Sequence, residues 1–127
     1  MSGSPTYDMT ITVDTRYLSE QSDPSANRYA FAYTIHILNS GDIPAQLLDR
    51  HWKIIDGNGK VQEVKGPGVI GEQPLIAPAV TYTYTSGCLL ETPVGTMEGS
   101  YGMRAADDHS FQAPIELFRL AKPNALN

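Results

Sequence analysis

Apolar and polar residues alternate along most of this chain with a period of two, which predicts strands rather than helices. Between residues 8 and 18, Met9, Ile11, Val13 and Tyr17 are apolar while Thr10, Thr12, Asp14 and Arg16 are polar. That is the pattern of a strand with one buried face. Tyr29, Phe31, Tyr33, Ile35 and Ile37 repeat it after a polar turn at 21–27. Residues 47–55 and 60–65 read as two further strands joined through Asp56-Gly57-Asn58-Gly59, whose glycines tolerate the positive φ of a hairpin turn. Residues 80–85 alternate large with β-branched side chains, and Thr81, Thr83 and Thr85 are expected to face solvent. Met97, Gly99, Tyr101 and Met103 share one face of a sixth strand. Phe111, Ala113, Ile115 and Leu117 share one face of a seventh, with Asp107-Asp108 marking the turn between the two. No segment sustains apolar spacing at i, i+3, i+4 and i+7 with helix caps, so any helix is short and incidental.

Seven short strands separated by turn signals define an all-β chain. With Trp52 on the third strand and Tyr101 on the sixth, the arrangement points to two antiparallel sheets packed as an immunoglobulin-like sandwich. Without paired cysteines it is nearer fibronectin type III. Tyr29, Phe31, Tyr33, Trp52, Tyr82, Tyr84 and Tyr101 fall at alternate positions, which makes them core rather than a stacking platform. At 127 residues the chain holds one core but not two. The expected domain is 7–120, with residues 1–6 and 121–127 as flexible ends.

A formal net charge of −5 argues against general nucleic-acid or acidic-membrane binding, which relies on Lys and Arg. Cys88 is the one cysteine, so no intrachain disulfide forms, and a reducing compartment, the cytoplasm, is the simplest expectation. Met1-Ser2-Gly3-Ser4-Pro5 lacks a basic n-region and an apolar h-region, and no apolar run approaches the ~20 residues of a membrane span. The expectation is a soluble protein.

Gly66-Pro67-Gly68-Val69-Ile70-Gly71 spells G-x-G-x-x-G, the letters of a dinucleotide-binding turn. That turn must open a helix, and Pro74 and Pro78 forbid one here. Two readings of the loop remain. Its glycines serve tight turns between strands, or successive N–H groups form an anion-binding nest helped by Lys65. Metal binding finds little support, since His36, His51 and His109 fall on different elements without ligand spacing. His36 and His51, with Asp49 beside the latter, make a loose surface ion site if their strands share a sheet. Ser86-Gly87-Cys88 and Asp108-His109-Ser110 carry nucleophile-type residues without partner spacing, and adjacent Asp107 and Asp108 diverge on a turn. Cys88 is expected to be a small buried hydrophobe. No catalytic set and no cofactor are expected.

Three stretches, Arg28-Tyr29-Ala30-Phe31-Ala32-Tyr33-Thr34-Ile35, His51-Trp52-Lys53-Ile54-Ile55-Asp56-Gly57-Asn58-Gly59 and the run from Glu63 through Gly66-Pro67-Gly68-Val69-Ile70-Gly71 to Pro78, resemble the ApaG family. Tyr82-Thr83-Tyr84-Thr85-Ser86-Gly87-Cys88, followed by Glu91-Thr92-Pro93-Val94-Gly95-Thr96-Met97-Glu98-Gly99-Ser100-Tyr101, extends the resemblance to nearly all of 7–123. The resemblance implies a fibronectin type III-like sandwich. It also implies links to cobalt and magnesium tolerance and, through gene neighbours, to diadenosine tetraphosphate metabolism. Related domains in eukaryotic F-box proteins and in a DNA-polymerase-delta-interacting protein imply an interaction module. The family's glycine loop maps to Gly66, Gly68 and Gly71, and Pro67 departs from the bulkier or charged residue often found there.

The functional expectation is therefore a non-catalytic binding module with a protein partner, using loops or exposed strand edges through which self-association is also open. The alternative is a nucleotide or pyrophosphate binder at Lys65, Gly66, Gly68 and Gly71. Direct divalent-cation binding is a second alternative, prompted by the resemblance rather than by ligand geometry.

Overall fold

The computed structural model describes residues 5–125. The ends expected to be flexible lie partly outside this range, at 1–4 and 126–127. Alternation is realised as eight strands: β1 (Met9–Tyr17), β2 (Tyr29–Asn39), β3 (Ala45–Asp56), β4 (Val61–Pro67), β5 (Leu75–Ile76), β6 (Thr81–Leu90), β7 (Val94–Ala105) and β8 (Ser110–Ala121). The two-residue β5, which is too short to show a period, is the strand the sequence pattern misses. Helical structure among the described residues amounts to two three-residue 3-10 turns, Ser19–Gln21 and Pro24–Ala26.

The strands form two antiparallel sheets ordered β1-β2-β6 and β4-β3-β7-β8, with β5 added alongside β3. This is an immunoglobulin-like sandwich. Its core is an aromatic cluster in which Trp52 meets Tyr33, Phe118 and Tyr101 at centroid distances of 5.5, 5.9 and 6.3 Å, all edge-on or nearly so. The hydroxyls of Tyr84 and Tyr101 bond to each other inside that core, so each phenol satisfies the other's polar atom. Burial pushes both hydroxyls well above the ordinary tyrosine range, and they stay neutral. Asn39 is buried as well, and its amide donates to the carbonyls of Ile43 and Ile76 at 2.9 Å while its carbonyl accepts from Gly41 N–H. That side chain ties the end of β2 to β5.

Two bulges shift the phase of the alternation. In β3 the register passes from Leu47 opposite Met103 to Asp49 opposite Gly102, which leaves Leu48 as an extra residue. Leu47 and Trp52 are five residues apart, yet both point into the core because of it. In β8 the register passes from Ile115 opposite Gly99 to Phe118 opposite Met97, so Glu116 and Leu117 together oppose one residue. The sequence pattern places Leu117 inward. The structure corrects this, with Leu117 56% exposed and Leu120 fully buried in its stead. Pro114 is accommodated because β8 is an edge strand. At the N-terminal side, Thr6 and Asp42 exchange hydrogen bonds of 3.0 Å, and past β8 Lys122 N–H donates to Pro93 at 2.8 Å.

If the β8 bulge sets the inward phase, Leu120→Ala lowers unfolding free energy by about 2–5 kcal/mol. Leu117→Ala changes it by less than about 0.5 kcal/mol. Urea denaturation of the two variants measures the contrast, and equal losses would contradict the assigned phase.

Candidate functional site

The extra residue at Leu48 swings the chain so that Arg50 shares the inward side of β3 with Trp52 and Ile54. Arg50 is half-buried there, and its Nη1 donates to the carbonyls of Pro67 and Gly68, both at 3.0 Å. Gly66 lies opposite Arg50 in the ladder, and a Cβ at Gly66 would stand 3.0 Å from Nη1 and 3.2 Å from Nη2. Its missing side chain is therefore the seat of the guanidinium.

The remaining loop glycines have backbone reasons. Gly68 adopts φ +58 with its Cα against the Glu72 carbonyl, and Gly71 adopts φ +74 in the turn closed by reciprocal Val69 and Glu72 hydrogen bonds of 2.8 and 2.9 Å. Val69 plugs the core from this loop while Ile70 faces solvent. The N–H of Gly68 donates to Leu48 and that of Val69 to Glu72, so two donors that an anion nest would use are engaged within the protein.

Of the four residues expected to hold phosphate, Lys65 and Gly66 line one cleft of about 730 Å³, together with Arg50, His51, Gln73, Arg104 and Asp49. Gly68 and Gly71 do not line it. Three permanent cations thus share a cleft in a protein of net charge −5. Arg104 enters from β7, 39 positions from Lys65, which is why no local motif signals it.

A second concavity opens on the flank between the free edges of β6 and β4. The other flank is covered where β1 packs alongside β8. This groove of about 610 Å³ is lined by Phe31, Tyr33, Trp52, Val64, Cys88 and Leu89, with Arg50 at its wall. Arg50 belongs to both concavities. One end of the flank is bridged by the exposed Lys60–Glu91 ion pair at 3.2 Å.

His36 and His51 sit on different sheets, β2 in one and β3 in the other, so the shared-sheet ion site is overturned. Each finds a local carboxylate instead: His36 contacts Asp14 at 2.8 Å and Thr83 at 3.1 Å, and His51 contacts Glu63 at 2.7 Å. Among the described residues no group of three His, Cys, Asp or Glu side chains is placed to hold a metal ion. Cys88 is half-buried in the groove wall rather than fully buried, and burial pushes its thiol up to about 11. At neutral pH it is a poor nucleophile. His109 stacks on Tyr7 at 3.9 Å, and Asp107 accepts a hydrogen bond from Tyr7, so the 107–110 turn is a packing feature of the β7–β8 hairpin.

Residues 19–105 match the family model of the ApaG domain. A protein called ApaG from Azotobacter vinelandii is 59% identical over 123 residues, covering 97% of this chain and 98% of its own length. The chain belongs to the ApaG family. Another relative called ApaG, from Aromatoleum aromaticum, is 54% identical across the full length of both chains. A solved structure of a protein called ApaA from Bordetella pertussis superposes with TM-score 0.91 at 53% identity, covering 94% of this chain and 97% of that one. Family membership and fold thus agree with the resemblance read from the sequence. No helix among the described residues is long and apolar enough to cross a membrane.

Within this ApaG fold the His51–Glu63 pair gives a pH signature. The hydrogen bond from His51, then its charge, holds the Glu63 carboxyl below the ordinary 4.5, with Lys65 and Lys53 adding less. A lowered carboxylate pKa stabilises the fold above its unfolded value, and that stabilisation is lost as pH falls through the lowered native value. A carboxyl-detected NMR titration is expected to show Glu63 titrating below 4.5 and His51→Ala raising the midpoint toward it. An unchanged midpoint in the variant would assign the shift elsewhere.

Proposed function

We propose that this chain is a non-catalytic binding module that docks a partner polypeptide along the flank between β6 and β4. The observation that carries this reading is the contrast between its two free edges. β4 has charged residues and a proline along its edge, Glu63, Lys65 and Pro67, which are the usual guards against strand addition. β6 runs ten residues, Thr-Tyr-Thr-Tyr-Thr-Ser-Gly-Cys-Leu-Leu, with no charge and no proline. Its free backbone groups are a template for an added strand. Leu89 on β6 and Val61 on β4 are 61% and 51% exposed at the same flank, next to a groove of mixed polar and apolar lining.

A charge on the β6 edge is the direct test. Saturable capture of a protein from native lysate is expected to weaken at least tenfold with Leu89→Lys. It stays unchanged with Leu117→Lys, an equally exposed leucine on the covered flank. Equal effects of the two substitutions would count against the flank, and a single self-captured band would identify the partner as a second copy.

A second reading, a nucleotide or pyrophosphate binder, is favoured by the clustering of Arg50, Lys65 and Arg104 around one cleft. In this reading side-chain cations supply most of the contacts, since Gly68 and Val69 N–H groups are engaged elsewhere. Amide and guanidinium NMR with inorganic pyrophosphate at millimolar concentration is expected to shift Gly66 and Arg104, with the shifts reduced in Lys65→Gln. Unmoved resonances would end this reading. The family's links to cobalt and magnesium tolerance and to diadenosine tetraphosphate are associations that either binding mode accommodates, and neither supplies ligand geometry.

A further inference from the structure

We propose that Arg50 is the anion-recognising residue of the open flank, and that it takes an acidic side chain of an extended partner segment paired to β6. The inference rests on the docking reading above and names the chemistry of its occupant. Arg50 lies on the inward side of β3, at positions i, i+2 and i+4 with Trp52 and Ile54, where a charge is otherwise excluded from a sandwich. It is half-buried at the groove wall.

The side chain is held in place on one side. Nη1 donates to the Pro67 and Gly68 carbonyls at 3.0 Å, and the guanidinium lies across side-chain-free Gly66. Those bonds fix the plane of the fork and, among the described residues, engage one of its three nitrogens. Neutral carbonyls form no ion pair with that charge, and Asp49, which lines the neighbouring cleft with Arg50, is not within ion-pair distance of it. Among the described residues no carboxylate comes within ion-pair distance of Arg50, and no acidic residue lines the groove. An isolated, partly desolvated guanidinium is unfavourable until a counter-charge arrives. A planar fork with fixed orientation matches a carboxylate through two parallel hydrogen bonds.

Charge complementarity therefore selects an acidic occupant, even though the protein as a whole carries net charge −5. The rest of the groove selects a peptide. Val64 and Leu89 offer exposed apolar surface for a neighbouring side chain, over a floor formed by the buried Phe31, Tyr33 and Trp52. Ser86, Gly87 and Cys88 of the unguarded β6 edge line the same groove as Arg50. A strand added to β6 thus brings alternate side chains over the groove, where one carboxylate reaches Arg50.

The test pans a phage-displayed library of random ten-residue peptides on the full chain, on Arg50→Gln and on Leu89→Lys. Peptides selected by the unmodified chain are expected to enrich Asp or Glu at one position several-fold over the library. Their apolar positions persist on Arg50→Gln while the acidic enrichment disappears, and selection on Leu89→Lys fails. Selected peptides without acidic enrichment, or with enrichment that persists on Arg50→Gln, overturn the role of Arg50 and leave the docking flank standing. No peptide enriched over an unrelated β-sandwich overturns both.

A second measurement does not depend on the variant folding. The Arg50 side-chain NMR signal of the unmodified chain is followed against a selected acidic peptide, its Gln or Asn counterpart, and sodium phosphate. Movement with the acidic peptide and at least tenfold weaker response to the amide counterpart is the expected result. Movement with phosphate alone assigns the anion to a phosphate compound and overturns the peptide proposal.

Discussion

The extra residue at Leu48 is the constraint on which the rest of the site depends. A strand with an unbroken period of two cannot bury both Leu47 and Trp52, because they fall on opposite faces. Inserting one residue resolves the conflict, and the bulge is held by two donors: the N–H of Gly68 and the side-chain amide of Gln73 both reach the Leu48 carbonyl at 2.8 Å. The loop that follows β4 is therefore fastened to β3 at the point where β3 changes phase. Arg50 is turned inward by the same shift. The loop carbonyls of Pro67 and Gly68 then receive its guanidinium.

This arrangement explains the glycines without a cofactor. Gly66 leaves room for a guanidinium, Gly68 lies against Glu72, and Gly71 carries a left-handed turn. Each is accounted for by sterics at its own position. The cationic cleft beside them arises from Lys65, Arg50 and Arg104 on three adjacent strands. Letters that resemble a phosphate motif and side chains suited to an anion thus occur side by side for different physical reasons.

The two flanks of the sandwich are unequal. On one, β1 lies along β8 and the sheets meet. On the other, the tyrosine and tryptophan cluster lines a groove between β6 and β4, with the Lys60–Glu91 pair spanning one end. Exposed ion pairs of that kind contribute on the order of 1 kcal/mol or less, so they brace the flank weakly. Tyr84 and Tyr101 are deeper, where mutual hydrogen bonding removes the cost of burying two hydroxyls.

Period-two alternation was legible in the sequence because each strand reports its own buried face through residues two apart. It therefore determined the all-β class, seven of the eight strands, the aromatic core and the β3–β4 and β7–β8 hairpins. The three-residue 3-10 turns also agree with the absence of any helical period. A run of family-like segments pointed to the same fold. What alternation cannot report is a bulge, since one inserted residue looks like any other until its partner strand is known. Leu117 was misplaced for that reason, and Leu120 took its position. His36 and His51 were separated because sheet membership depends on which strands pair, a long-range choice. Arg50 left one trace, a charge in phase with Trp52 and Ile54, but its meaning required Gly66, Pro67 and Gly68 to be brought opposite it by pairing. The sequence by itself determined which residues prefer to be buried. Only the tertiary structure decided which charge stands at the edge of that buried surface with no carboxylate in ion-pair contact among the described residues, because such a balance is struck between strands distant in the chain.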